Sequence, residues 1–119
     1  MLSVLSIILQ VILGIGFLTF GFMKFGSKQM VEGFKQYGYP GWFRVVTGLV
    51  EVISAALVIA GIWNETLAAW GGLFIVATMV GAVFTHIKIN DNVQQMMMPI
   101  ILLILGLVVL LLNFGPLLG

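Results

Sequence analysis

Apolar residues fill most of the chain in four long runs, which three short polar segments separate. The runs occupy about residues 2–25, 42–63, 67–87 and 96–114. Each approaches the roughly 20 residues that an α-helix needs to cross the hydrocarbon core of a bilayer. The pattern therefore predicts four transmembrane helices, and the short connections predict that consecutive helices pack antiparallel.

The longest connection, residues 26–41, carries a helical pattern of its own. Its large apolar residues recur at helical spacing and share one face: Met30, Val31, Phe34 and Tyr37. Ser27 is a suitable N-cap, and Gly38 followed by Pro40 is typical of a helix end. We predict a short amphipathic helix in the membrane interface. The alternative is an irregular loop, because Gly33 weakens a helix here.

Composition places the chain among integral membrane proteins. Of its 119 residues 61% are hydrophobic and 8% are charged, whereas soluble domains carry about 25% charged residues. A soluble domain this small could not bury so much apolar surface. The predicted fold is an all-α, four-transmembrane-helix antiparallel bundle, with the amphipathic helix between helices 1 and 2, and residues 1–119 form a single domain.

Charge and cysteine content narrow the function further. The formal net charge of +1 and the absence of a basic patch argue against a nucleic-acid partner. The chain has no cysteine, which excludes thiol catalysis, disulfides and cysteine-ligated metal centres within it. We expect the lipid bilayer as its surroundings, and a membrane protein partner or a homo-oligomer remains open.

The basic residues predict the orientation of the chain in the membrane. All five fall on the side that holds connections 26–41 and 88–95: Lys24, Lys28, Lys35, Arg44 and Lys88. The positive-inside rule then places both connections in the cytoplasm and both termini outside.

Each apolar run carries small or polar residues on one helical face. The four predicted inward faces are Gln10, Gly14, Phe17, Gly21 and Lys24; Arg44, Thr47, Glu51 and Ser54; Thr78, Gly81 and Thr85; and Gln95, Pro99, Gly106 and Asn113. Membrane helices pack through small residues and hydrogen-bond through polar ones. The faces therefore predict a semi-polar seam inside the bundle. Two small-x-x-x-small pairs, Ala68/Gly72 and Ala77/Gly81, predict close helix packing.

Glu51 is the most informative residue, because it lies within an otherwise uncharged run. A carboxylate deep in a bilayer is costly and usually faces a partner, water or a bundle interior. Glu51 follows Trp42 by about nine residues, or roughly 13 Å along a helix, which places it near the midplane. It is either a structural group satisfied by Lys24, Thr47 or water, or a site for protons or a ligand.

The candidate ligand or proton site comprises five residues: Lys24, Arg44, Thr47, Glu51 and His86. His86 is the one histidine, so we expect a hydrogen-bonded interfacial side chain and no metal site. Met96, Met97 and Met98 point in different directions on a helix, and we interpret them as apolar anchors.

Four segments resemble the DoxX family of small four-helix membrane proteins. They are GFLTFGFMKF, YGYPGWF, GLVEVISAALVIAG and GAVFTHIK. The resemblance lies in a glycine three residues before Lys24, a glycine three residues before Glu51, and His86 near the end of the third run. It implies a prokaryotic cell-membrane protein associated with quinone-linked oxidoreductase subunits, with quinone or lipid as an implied ligand.

Three hypotheses of function follow. The first is an accessory or partner-binding subunit, without catalytic activity of its own, that belongs to a quinone-linked redox complex and binds a lipid-like molecule in its seam. The second is a small proton-coupled transporter that uses Glu51. The third is a membrane enzyme with Glu51 and His86 as acid and base, which would need both within hydrogen-bond reach of a substrate.

Overall fold

A computed structural model describes the backbone of residues 2–115 and the side chains of residues 3–115. This part of the chain forms five helices, α1 (Leu2–Gly26), α2 (Lys28–Tyr37), α3 (Gly41–Ala60), α4 (Glu65–Lys88) and α5 (Val93–Leu112). Helices α1, α3, α4 and α5 are each long and apolar enough to cross a membrane. The predicted all-α bundle with four spanning helices is confirmed.

Helix α2 is the predicted amphipathic helix. The Ser27 hydroxyl accepts a hydrogen bond from the Met30 amide at its start. Gly38 ends it in the left-handed conformation with φ of 82°, which a residue with a Cβ adopts at a cost. Phe34 is its buried residue, so α2 rests against the bundle through the predicted apolar face.

The spanning helices pack in the order α1, α3, α4, α5 around the bundle. Glycines allow the closest approaches. A Cβ on Gly21 of α1 would lie 2.9 Å from the Gly48 carbonyl oxygen of α3, and a Cβ on Gly72 of α4 would lie 2.9 Å from the Leu110 amide of α5. Membrane helices gain packing contacts when small residues let their backbones meet.

The two predicted small-residue pairs differ. Ala68 and Gly72 are both buried between helices, so that prediction is confirmed. The prediction for Ala77 and Gly81 is wrong, because both residues are exposed and a Cβ on Gly81 would meet no atom within 4 Å. The inward face of α4 instead passes through Ile75 and Met79.

The bundle is shaped to lie across a bilayer. It is 41 Å along its longest axis, close to the roughly 40–45 Å thickness of a bilayer with its headgroups. Its large exposed side chains are mostly apolar and occur on all four spanning helices. Exposed leucine, isoleucine and valine at this density suit contact with acyl chains and not with water.

The bundle has two ends of different chemistry. The basic end holds α2, the α4–α5 connection and the five basic residues. The opposite end contains a buried polar network in which Asn113 donates to Ser6, Ser6 donates to Gln10, and Gln10 donates to the Val58 carbonyl oxygen, at 2.7–2.9 Å. This network ties α1, α3 and α5 together away from Glu51.

Candidate functional site

A cavity of about 520 Å³ lies in the basic half of the bundle. All five helices contribute to its lining, which is mainly aromatic and aliphatic. Its apolar wall includes Phe20, Phe43, Val50 and Leu102, together with Phe34 of α2. An apolar cavity with a few convergent polar groups is the usual form of a small-molecule site.

An ion pair between α1 and α3 is the polar centre of this cavity. Lys24 Nζ lies 2.6 Å from Glu51 Oε1, and the side chains are 13% and 3% exposed, respectively. Among the described residues, the Lys24 ammonium is the one polar group in contact with this buried oxygen. Both side chains line the cavity. The pair therefore joins two helices and also presents charge to whatever occupies the cavity.

The local sequence explains how the two charges meet. Gly21 and Gly48 stand one helical turn before Lys24 and Glu51, and their backbones touch across the α1–α3 contact. A Cβ on Gly48 would lie 3.0 Å from the Lys24 Cβ. The spacing of three residues puts each glycine on the face of its charged partner, so the glycines bring the helices close enough for the ion pair to form.

Three threonines in the lining add hydrogen-bond acceptors. The hydroxyls of Thr47, Thr78 and Thr85 donate to carbonyl oxygens of their own helices, at 2.8–2.9 Å. A hydroxyl that donates in this way retains its acceptor lone pairs. The Thr47 hydroxyl donates to Phe43 and not to Glu51, so threonine does not satisfy the carboxylate as the sequence had suggested.

Polar contacts close the cavity at the basic end. The Tyr39 hydroxyl lies 2.9 Å from Thr85 Oγ1, and Lys88 Nζ stands 4.7 Å from the centre of the Tyr39 ring. His86 Nδ1 lies 2.8 Å from Asp91 Oδ2, which confirms the predicted hydrogen-bonded histidine. These contacts hold the α2–α3 connection against the end of α4.

Tyr37 of α2 also lies at this end of the cavity. We call this end, with Tyr37, Tyr39, His86, Lys88 and Asp91, the rim. Its ring packs edge-on against the His86 imidazole, with centroids 5.9 Å apart. Burial raises the pKa of the Tyr37 hydroxyl above 10.0, and the nearby Asp91 charge raises it further. Tyr37 therefore stays neutral well into the alkaline range.

Four of the five predicted site residues line the cavity: Lys24, Thr47, Glu51 and His86. Arg44 does not. Its guanidinium donates to the Lys24 carbonyl oxygen, a group near the end of α1 that lacks a partner within the helix. Arg44 thus stabilises the helix end that carries Lys24.

The sequence interpretation missed Tyr39 and Asp91, and it placed Thr78 on the inward face without naming it a site residue. Asp91 returns to His86 because Asn90 takes the left-handed conformation, with φ of 56°. Asparagine favours that conformation more than most residues, so Asn90-Asp91 after a helix was a usable signal for this turn. The position of Tyr39 offered none, since it depends on how the 26–41 connection folds back.

The described residues contain no cluster of three or more side chains suited to a metal ion. What the cavity offers is an apolar volume, one ion pair, several acceptors and an aromatic rim. Groups of these kinds can contact and orient an amphiphilic molecule.

Comparison of the chain with known proteins shows which family it belongs to. A 32% identical protein, the uncharacterised YdgD of Bacillus subtilis (strain 168), aligns over 109 residues, which is 90% of this chain and 96% of that protein. No solved structure matches the chain. The DoxX-like family model matches residues 8–109, a range that contains α3, α4, most of α1 and α5, and the whole cavity lining. This four-helix integral membrane protein therefore belongs to the DoxX-like family.

Proposed function

We propose that the protein binds a lipid-like amphiphile in the cavity around Lys24 and Glu51. The observation that carries the proposal is an ion pair, nearly closed off from solvent, in the wall of an otherwise apolar cavity of about 520 Å³. A purely structural pair would be expected to pack against side chains on all sides, because partly satisfied charges in an apolar interior are costly. A bound polar head would add hydrogen bonds to a carboxylate oxygen whose polar contact within the described residues is Lys24.

The proposed biological role is that of an accessory subunit of a membrane redox complex. The resemblance to DoxX proteins and the absence of cysteine support a role in binding and not in electron transfer by this chain itself. In such a role the bound molecule would be a quinone or lipid that the partner uses.

Copurification tests the binding function. The protein is extracted in native nanodiscs and its bound molecules are identified by native mass spectrometry. Ala82→Phe, which fills the cavity, should lose the bound molecule. Ala56→Phe on the exposed face of α3, outside the lining, should retain it. A wild-type protein that carries neither a specific small molecule nor a protein partner under these conditions contradicts the proposal.

A proton-coupled transporter is the second candidate. The observation that favours it is a polar crevice of about 320 Å³ at the opposite end, lined by Ser6, Gln10 and Asn113. Buried Leu13, Phe17 and other core side chains separate it from the Glu51 cavity. Proton-driven uptake into liposomes that disappears in Glu51→Gln would favour transport over binding alone.

The proposed orientation places the basic end in the cytoplasm and both termini outside. Since the natural chain has no cysteine, single cysteines report accessibility without background. A membrane-impermeant maleimide applied to intact cells should label Glu65→Cys and should label Asn92→Cys only after lysis. The reverse pattern would invert the orientation.

A further inference from the structure

A gap between α3 and α4 connects the cavity with the lipid-facing surface. At the opposite end the two helices touch closely, and a Cβ on Gly71 would lie 2.6 Å from a Val58 methyl carbon. Toward the basic end, a Cβ on Gly81, which lines the cavity, would meet no atom within 4 Å. Helices α3 and α4 therefore pack tightly at the end opposite the basic end, and open space borders the cavity at Gly81.

The edges of the gap are residues of α3 and α4 that line the cavity and are also exposed; Met98 of α5 shares both properties. On α3 these are Phe43 and Val46, and on α4 they are Ala77, Gly81 and Phe84. All five lie within segments that are apolar enough to span the membrane. Their exposed surface thus faces acyl chains, and the gap opens sideways into the bilayer.

The basic end of the gap is closed. Tyr39 bridges to α4 through its 2.9 Å hydrogen bond with Thr85, and its ring packs edge-on against Phe43 with centroids 5.0 Å apart. A molecule dissolved in the bilayer can therefore reach the cavity between α3 and α4 without passing the aqueous interface.

The interior selects the head of such a molecule. Glu51, Thr47 and Thr78 present acceptors, while Lys24 presents donors. The ion pair has no net charge, so a charged ligand would bring an uncompensated charge into the membrane interior. A head that both donates to Glu51 and accepts from Lys24, without charge, is complementary to this lining.

Building on the proposed binding function, we propose that the α3–α4 gap is a lateral portal. Through it the cavity takes an uncharged, hydroxyl-bearing amphiphile, an alcohol or a phenol on an apolar body, from the bilayer. The hydroxyl donates to the Glu51 carboxylate and its oxygen accepts from the Lys24 ammonium.

Photoactivatable probes of equal chain length test the head-group chemistry in nanodiscs. They carry a diazirine on the chain and end in an alkyl alcohol, an alkylphenol, a carboxylate or a trimethylammonium group. We expect the alcohol or the phenol to label α3 and α4 about tenfold more than either charged probe, the difference expected for one hydrogen bond to a charged group. The neutral probe that labels more strongly shows whether the site prefers an alcohol or a phenol.

Two matched glycine variants test the portal. Gly81 and Gly16 are both helical, and a Cβ on either would meet no atom within 4 Å, but only Gly81 lines the cavity. Gly81→Leu should slow labelling by the neutral probe several-fold, whereas Gly16→Leu should leave the rate unchanged. Thermal unfolding of each variant shows that the fold is intact, and Ala77→Leu provides a second obstruction.

The outcomes separate the portal from the binding function. Equal labelling by charged and neutral probes overturns the head-group assignment. Equal labelling rates in Gly81→Leu and Gly16→Leu overturn the portal. In either case saturable labelling inside the cavity leaves the proposed binding function standing. If no probe labels cavity residues saturably, the binding function fails together with the portal.

Discussion

Breaking the Lys24–Glu51 ion pair one partner at a time should be far more damaging than removing both. The side chains are 13% and 3% exposed and lie 2.6 Å apart. Removing one partner of a buried pair costs about 3–5 kcal/mol, while replacing both with apolar groups is often nearly neutral. The relevant comparison is a double-mutant cycle of Lys24→Met and Glu51→Leu.

The structure also predicts an order within the cycle. Lys24 lies in the last turn of α1, so its long side chain can extend to the headgroups when Glu51 is absent. Glu51 is short and lies mid-helix, and the described residues offer its Oε1 no polar contact besides Lys24. Lys24→Met should therefore cost about 3–5 kcal/mol, Glu51→Leu about 1–3 kcal/mol and the double variant about 1 kcal/mol.

The assay is equilibrium unfolding in mixed lipid–detergent micelles, with helix content followed by circular dichroism. The double variant should fall short of the summed single effects by about 3–7 kcal/mol. The control cycle pairs Glu51→Leu with Lys28→Met, an exposed lysine of α2, and should be additive. Additivity in both cycles would refute direct pairing of Lys24 with Glu51.

Three further predictions concern packing, the opposite-end network and the rim. Gly72→Ala places a methyl group 2.9 Å from the α5 backbone and should destabilise the fold by about 1–3 kcal/mol in the same unfolding assay. Gln10→Leu removes the bond to α3 and the acceptor of Ser6, and should cost about 1–2 kcal/mol. In a Tyr39→Phe background, absorbance at alkaline pH should show Tyr37 ionising above 10.0, and Asp91→Asn should lower its pKa. Because the folded-state pKa is raised, the docking of Tyr37 stabilises the fold fully below pH 10.0 and less as the pH rises further.

Each of these three has a control. Gly16→Ala, which fills open space on α1, should not destabilise the protein, and equal losses in both alanine variants would contradict the packing argument. Thr19→Val removes a hydroxyl on the lipid-facing side of α1 and should cost less than Gln10→Leu. An unchanged Tyr37 titration in Asp91→Asn would show that the aspartate charge does not reach the rim.

The sequence alone was sufficient to predict the helices and four of the residues that line the cavity. The length of each apolar run is a local property, so the four spans could be located within a few residues. The caps of α2 were also readable, because Ser27 and Gly38 act through their own backbone neighbours. Lys24 was one of three candidate partners for Glu51, with Thr47 and water, because both charged residues lay on predicted inward faces.

The tertiary structure decided what the other groups do. Arg44 shares a helix face with Glu51, yet it binds the end of α1, because the angle between α1 and α3 brings the Lys24 carbonyl within its reach. Tyr39 and Asp91 reach the rim only through the turns at Gly38 and Asn90. The sequence can indicate where a helix ends, but residue spacing does not show which helix the following segment meets.

Gly72 and Gly81 illustrate the same division within a single helix. Both glycines belong to small-x-x-x-small pairs, for which the sequence predicted close helix packing. Of the two, Gly72 meets another backbone, while Gly81 borders the gap beside the cavity. Helix α4 has one residue sequence but different neighbours along its length, because α3 and α5 are close to it at some depths and not at others. The pattern of apolar and small residues determined which segments are long and apolar enough to cross the membrane, and the packing of the helices against one another decided where they leave a cavity.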